Sequence, residues 1–170
     1  MQTTEFFKVY GVQERQDQLI RLAANNYLLI VGFGQDEASE NGYSWRKYYD
    51  HKPTEIEIRA DVADLVNPII DAKILSGFRW NNKPVWLSTE NQFNYKAAYD
   101  LAVQTQGANL PIKFKLGEDE TGAPVYHTFT KIESFADFIL KAFDYINTTL
   151  KEGWTEKDSV QYADLIANAE

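Results

Sequence analysis

The sequence predicts an α+β fold in which a small antiparallel sheet, made of two β-hairpins, packs against helices. Two pairs of short strands are each joined by turn-forming residues, and each pair precedes a segment with helical periodicity. The predicted order from residue 74 onward is β-β-α-β-β-α-α. We expect a domain over residues 43–170 with a core unit over 74–170, preceded by a helix and by an N-terminal arm over 1–42.

The sequence of the N-terminal arm predicts a strand, then a helix, then a second strand. Glu5–Val12 is rich in β-favouring residues and predicts a strand, whereas the apolar spacing in Gln13–Asn25 predicts a helix. Tyr27–Phe33 predicts a buried strand, although the same residues could extend the helix. The loop Gly32–Gly42 has two glycines but lacks the dinucleotide fingerprint, and its carboxylates would repel phosphate, so we interpret it as a turn.

The next part of the chain predicts an aromatic–basic strand and a long helix. Tyr43–Tyr49 (YSWRKYY) predicts the strand. Thr54 is a candidate N-cap for a helix that runs to Lys73, with glutamates in its first turn. Pro68 should bend or split this helix. The predicted apolar face consists of Ile56, Val62, Ala63, Leu65, Val66, Ile69 and Ile70.

A hairpin formed by Ile74–Trp80 and Pro84–Leu87 is the most specific local prediction. Its turn, Asn81–Asn82, suits type I′, in which both central residues have positive φ. The resulting register leaves Arg79 and Trp86 on the outer face. The predicted core face consists of Phe78, Trp80, Val85 and Leu87.

The C-terminal part predicts a second hairpin among three helices. A helix over Glu90–Gln106, capped by Ser88 or Thr89, precedes the strands Ile112–Leu116 and Val125–Thr130. A helix from Ser134 or Glu133 to Leu150 should end before Gly153, and a short last helix should begin at Thr155. The predicted inner face of the Glu90–Gln106 helix consists of Phe93, Ala97, Ala98, Leu101 and Ala102.

Composition argues against several classes of function. The chain has no cysteine, so disulfides and cysteine-ligated zinc sites are impossible. A net charge of −8 disfavours general attraction to nucleic acid or anionic lipid. The longest strongly apolar run, Tyr27–Val31, is too short to span a bilayer. We therefore expect neither a membrane partner nor a specific nucleic acid partner.

No residue pattern indicates catalysis. His51 and His127 lack the spacing of a metal-ligand pair, and Glu118–Glu120 lacks the spacing of a calcium loop. A Ser-His-Asp site or a carboxylate pair needs only proximity in space, but 25 acidic residues make chance pairs common. We expect no enzymatic activity, no metal and no cofactor.

Aromatic side chains are the best candidates for binding positions, because large rings with polar handles anchor protein interfaces. The same rings could stack on sugars, and the basic residues beside Trp45 could contact single-stranded nucleic acid. The candidate interface residues are Tyr27, Phe33, Trp45, Tyr48, Tyr49, Arg79 and Trp86.

Six short segments between Tyr43 and the C-terminus form a further pattern. They are DHKPT at 50–54, ILSGFRW at 74–80, VWLSTENQ at 85–92, NYKAAYD at 94–100, PIKFK at 111–115 and GWTEKD at 153–158. Together they resemble a domain of unknown function from the tail region of bacteriophages that infect Bacteroides and of related prophages. The family often has glycine where this chain has Asn82.

The resemblance implies a structural component of a phage virion, at the tail, collar or fibre-attachment region. Such a protein would bind other phage structural proteins, form a symmetric homo-oligomer and be assembled in the host cytoplasm. The arm over 1–42 lies outside the resemblance and would dock on neighbouring subunits. The alternatives are a tail-fibre assembly chaperone and a glycan-binding module.

Overall fold

The computed structural model describes residues 5–36 and 41–169, and it confirms the α+β class with antiparallel sheets. In chain order the elements are β1 (Phe7–Val12), β2 (Gln18–Ala23), β3 (Asn26–Gly34), β4 (Gly42–Tyr49), α1 (Glu55–Ser76), β5 (Phe78–Trp80), β6 (Lys83–Val85), α2 (Thr89–Gln104), β7 (Ile112–Glu118), β8 (Pro124–Phe129), α3 (Ile132–Asp158) and α4 (Tyr162–Ala167). The predicted order from residue 74 is confirmed. Residues 1–4 of the predicted arm and 37–40 of the predicted loop lie outside the described residues.

The chain divides into two compact units. Unit 1 contains the residues up to Asn67 and those from Trp154 onward, whereas unit 2 is Pro68–Gly153. The boundary falls inside α1, at Pro68, and inside α3, at Gly153. It differs from the predicted division after residue 42.

Unit 1 is built on a four-stranded antiparallel sheet in the order β1-β4-β3-β2. The apolar run predicted as a buried strand is the inner strand β3, in which Tyr27, Leu28 and Leu29 are all buried. A strand buried on both faces has such an unbroken apolar sequence. The segment predicted as a separate arm therefore supplies three of the four strands of this sheet.

The helix predicted over Gln13–Asn25 is wrong, because this segment contains the edge strand β2, which pairs with β3. Its leucine, arginine, glutamine and alanine residues favour helices locally, but propensity yields to tertiary pairing. A turn at Ala24 and Asn25 joins β2 to β3.

Unit 2 consists of two hairpins and parts of the helices. The turn and register of the predicted first hairpin are confirmed, with Phe78 opposite Val85 and positive φ at Asn81 and Asn82. Its predicted strand bounds are wrong, because residues 74–76 are the end of helix α1 and the strands are only Phe78–Trp80 and Lys83–Val85. The backbone N–H of Trp86 donates to the Leu116 carbonyl at 2.7 Å, which joins the first hairpin to β7 of the second. The core is aromatic, and its buried rings are Phe78, Trp80, Tyr95, Phe129, Phe135 and Phe138.

The helices depart from prediction at three places. Helix α1 is not split at Pro68, and Ile56 on its predicted inner face is 79% exposed. Helix α3 does not end before Gly153, where an added Cβ would lie 2.7 Å from Ile70 Cγ1. This glycine permits close helix packing rather than marking a helix end. The last helix accordingly begins at Tyr162 instead of Thr155.

Candidate functional site

A row of two lysines and four aromatic residues lies on one face of β1 and β4. Lys8 pairs with Trp45 and Tyr10 pairs with Tyr43, and every second residue of β4 then continues on the same face. Lys8 Nζ lies 3.9 Å from the centre of the Tyr43 ring. We call this the cation–aromatic row, and its members are Lys8, Tyr10, Tyr43, Trp45, Lys47 and Tyr49.

Two aspartates neutralise the lysines of the cation–aromatic row. Asp36 accepts from Lys8 Nζ at 2.9 Å and from Tyr10 Oη at 2.5 Å. Asp61, on α1, lies 2.6 Å from Lys47 Nζ and accepts from Tyr49 Oη at 2.5 Å. Each lysine is therefore held in a lysine–aspartate–tyrosine triad, which favours a structural role over binding of phosphate.

The pKa directions of Asp36 and Lys8 agree with an ionised pair. Hydrogen bonds from Tyr10 and then Lys8 lower the pKa of Asp36, and its hydrogen bond raises the pKa of Lys8. Burial, reinforced by Asp61, raises the pKa of Tyr49. Sequence reasoning found Trp45 and Tyr49 but missed both aspartates, because they come from other elements and meet the row only in space.

The other candidate residues of unit 1 occupy different environments. Tyr27 and Tyr49 face each other across β3 and β4 and are 6% and 7% exposed, so both are core residues. Tyr48 points to the opposite face from the row and stacks on Phe7 at 5.6 Å. Phe33 is 39% exposed, and an added Cβ at Gly42 would collide with its ring.

Arg79 and Trp86 belong to unit 2. Arg79 is exposed, and its Nη2 donates to the Asn82 carbonyl at 2.7 Å, so it braces the hairpin turn. Trp86 is half-buried, and Lys115 Nζ lies 5.1 Å from the centre of its ring. Trp86 therefore offers only part of its ring for contact.

Helix α2 has an exposed apolar stripe on the side that the sequence predicted to face inward. Phe93 is 72% exposed, Leu101 is 49% exposed and Ala97 between them is exposed. The helix buries Tyr95, which was not predicted to face inward, and Ala102, which was. Phe93 lies two residues before Tyr95, which is roughly 200° around a helix, so the stripe points away from the core.

We call Phe93, Ala97 and Leu101 the α2 stripe. Their spacing of four residues places them one above another along the helix. Lys96 and Asp100 beside them pair with each other, so the flanking charges are neutralised within the helix. An exposed apolar row with a polar rim is a candidate contact surface.

Each histidine lies in its own surroundings within its unit. His51 bridges Asp50 and Glu57 at 2.8 and 3.0 Å, and the hydrogen bond to Asp50 does most to raise its pKa. His127 lies in the aromatic core 4.6 Å from the Phe129 ring, where burial lowers its pKa. Residues 5–36 and 41–169 contain no cluster of three acidic or histidine side chains that could hold a metal ion.

Comparisons with known proteins found no match. No family model matches the chain. No curated protein and no solved structure matches it either. Among the helices that the structure describes, none has the length and apolar character needed to cross a membrane.

Proposed function

We propose that this chain is a structural component of a bacteriophage virion, in the tail, collar or fibre-attachment region, that works through protein–protein contacts. The α2 stripe carries the proposal, because an exposed phenylalanine and leucine in register on one helix gain stability only when a partner covers them. The assignment to a virion is supported by the resemblance of six segments between Tyr43 and the C-terminus to the phage tail-region pattern.

The contact expected at the α2 stripe is helix-like and apolar. Phe93 and Leu101 would enter the partner's surface as anchors, while Ala97 lets the two backbones approach. The pair of Lys96 and Asp100 would lie at the rim, where charges contribute little to affinity. Repeated round a symmetry axis, such a contact suits a ring or collar.

The test replaces the α2 stripe by polar residues that keep the helix. Phe93→Gln combined with Leu101→Gln should leave the melting temperature nearly unchanged, because both side chains are exposed in the free chain. Mass spectrometry of purified particles should detect the wild-type chain in a fixed copy number and detect the double variant at less than a tenth of it.

Ile56→Gln is the matched control, because Ile56 is apolar and 79% exposed, and the other exposed large apolar residues of α1, Ile69 and Leu75, are more than three turns away along the helix. It should enter particles at the wild-type level. The proposal is wrong if the wild-type chain is absent from finished particles that require it for assembly, which is the behaviour of a chaperone. It is also wrong if the double variant enters particles normally.

A further inference from the structure

A groove of about 420 Å³ runs between the edge strand β2 and helix α4 in unit 1. On one side it is lined by four consecutive residues, from Asp17 to Ile20. Successive side chains of a strand point to opposite faces, so only a groove that follows the strand backbone can touch all four. The groove therefore lies along the outer edge of the sheet.

Helix α4 provides the other wall of the groove. The lining positions Gln161, Asp164, Leu165 and Asn168 are spaced by three, four and seven residues, so they form one face along α4 and its two caps. Leu19 from the strand and Leu165 from the helix are both buried. The groove thus has an apolar floor with amide and carboxylate groups above it.

The backbone of β2 is paired on one side only. It bonds to β3 and is the last strand in the sheet order. On its other side, no backbone hydrogen bond joins Gln18–Ala23 to any residue within 5–36 or 41–169. Every second N–H and C=O of an edge strand points outward and can pair with an added strand.

The two carboxylates of the groove differ in their partners. Asp17 accepts from Arg15 Nε at 2.9 Å and from the Gly32 backbone N–H at 2.9 Å, so its charge is already compensated. The Asp164 carboxylate is exposed and makes no hydrogen bond or ion pair with the described part of the chain. A ligand in the groove would therefore meet one free negative charge.

We infer that this groove binds an extended peptide segment that carries a lysine or arginine. The segment adds to the outer edge of β2 as a fifth strand, one side chain enters the apolar floor, and the basic side chain pairs with Asp164. Strand addition beside a helix supplies affinity through main-chain hydrogen bonds and specificity through side-chain pockets.

A second copy of this chain fits the groove less well. Each copy would bring its own α4 and its own Asp164 to the shared edge, so like charges and two helices would meet there. A basic segment of a different chain has the opposite charge and needs no helix at this position. The inference concerns unit 1 and does not depend on the α2 stripe, so either can fail alone.

The inference is tested with a positional-scanning library of acetylated, amidated octapeptides labelled with fluorescein, titrated against the whole chain by fluorescence anisotropy. We expect lysine or arginine to be selected at one position and β-branched residues around it. Asp164→Asn should weaken binding of the selected peptide about threefold to tenfold. Asp144→Asn, which removes an exposed carboxylate from α3, should leave the affinity unchanged.

Two further measurements distinguish strand addition from a purely electrostatic attraction between the basic side chain and Asp164. Methylating alternate backbone nitrogens of the selected peptide should abolish binding, because a methylated nitrogen cannot donate to the edge. Amide NMR shifts on binding should concentrate in Gln18–Ala23 and in α4. The inference is overturned if the library yields no binding peptide, or if the Asp164 and Asp144 variants lose the same amount of affinity. Dimerisation of the chain through this edge would also overturn it.

Discussion

At the residue scale, the tyrosine hydroxyl at position 95 is the clearest site of unrelieved burial. The Tyr95 ring packs edge-on against Phe114 and Phe138 at 5.1 Å, but its hydroxyl is buried and has no hydrogen-bond partner among residues 5–36 and 41–169. Burial raises the pKa of this group to about 12, so it stays protonated. An unpaired buried hydroxyl costs stability that the ring packing must offset.

Tyr95→Phe should therefore raise the free energy of unfolding by about 1 kcal/mol, because the ring contacts remain and the unpaired oxygen is removed. Urea denaturation followed by circular dichroism measures the change. Tyr126→Phe, at an exposed ring, is the matched control and should leave stability unchanged. A loss of stability in Tyr95→Phe would show that its hydroxyl has a bonding partner in solution.

At the element scale, the start of α1 has a reciprocal cap. The Glu57 backbone N–H donates to Thr54 Oγ1 at 3.3 Å, and the Thr54 backbone N–H donates to Glu57 Oε2 at 2.7 Å. The hydrogen bonds from Thr54, backbone first, lower the pKa of Glu57 to about 2, with a further contribution from His51. The N-cap was predictable, since a threonine followed three residues later by glutamate is a local signal.

This cap predicts a pH dependence of stability. A carboxyl with a lowered folded-state pKa stabilises the fold above its unfolded pKa near 4.5, and this contribution is lost as the pH falls toward 2. The unfolding free energy of the wild type minus that of Glu57→Gln should therefore be largest above pH 5. This difference should shrink between pH 4.5 and 2. Denaturation at each pH measures it.

Glu133→Gln is the control for that comparison, because Glu133 also lies in the first turn of a helix but makes no capping contact with the described residues. His51 stays protonated over the range from pH 4.5 to 2, since its pKa is raised, so it does not obscure the result. A difference for Glu57→Gln that stays constant down to pH 2 would contradict the cap.

At the scale of elements, a feature was predictable where the residues that determine it are close together in the sequence. The turn and register of the hairpin around Asn81 and Asn82 were predicted correctly, because turn chemistry alone sets them, whereas its strand ends were not. Of the predicted inner face of α2, Ala102 is buried, but the α2 stripe was placed on the wrong side. Periodicity shows that a helix has an apolar face but not which partner covers it. If that face binds another subunit, the same periodicity is a signal of function.

At the scale of the whole molecule, the four-stranded sheet was not predictable as a unit. Its strands were recognised singly, except β2, but Phe7 of β1 pairs with Arg46 of β4, and no local signal specifies that partner. The candidate residues show the same limit. Trp45 was identified from composition, whereas Asp36 and Asp61, which complete its row, required the tertiary fold.

Each unit has buried side chains of its own, which predicts that stability is distributed between the units. Leu29 in unit 1 and Leu116 in unit 2 are both fully buried strand leucines, which makes them a matched pair. Leu29→Ala and Leu116→Ala should each lower the unfolding free energy by about 2–5 kcal/mol through lost contacts and a cavity.

The location of the added hydrogen exchange should differ between the two variants. In Leu29→Ala, the hydrogen-exchange rate should rise first in β3, β4 and β2, whereas in Leu116→Ala it should rise first in β7, β8 and α2. The reason is that local unfolding of each core exposes the elements packed around it. Hydrogen–deuterium exchange with mass spectrometry at neutral pH measures both patterns. Equal exchange throughout the chain in both variants would mean that α1 and α3, which run through the boundary, couple the units into one cooperative fold.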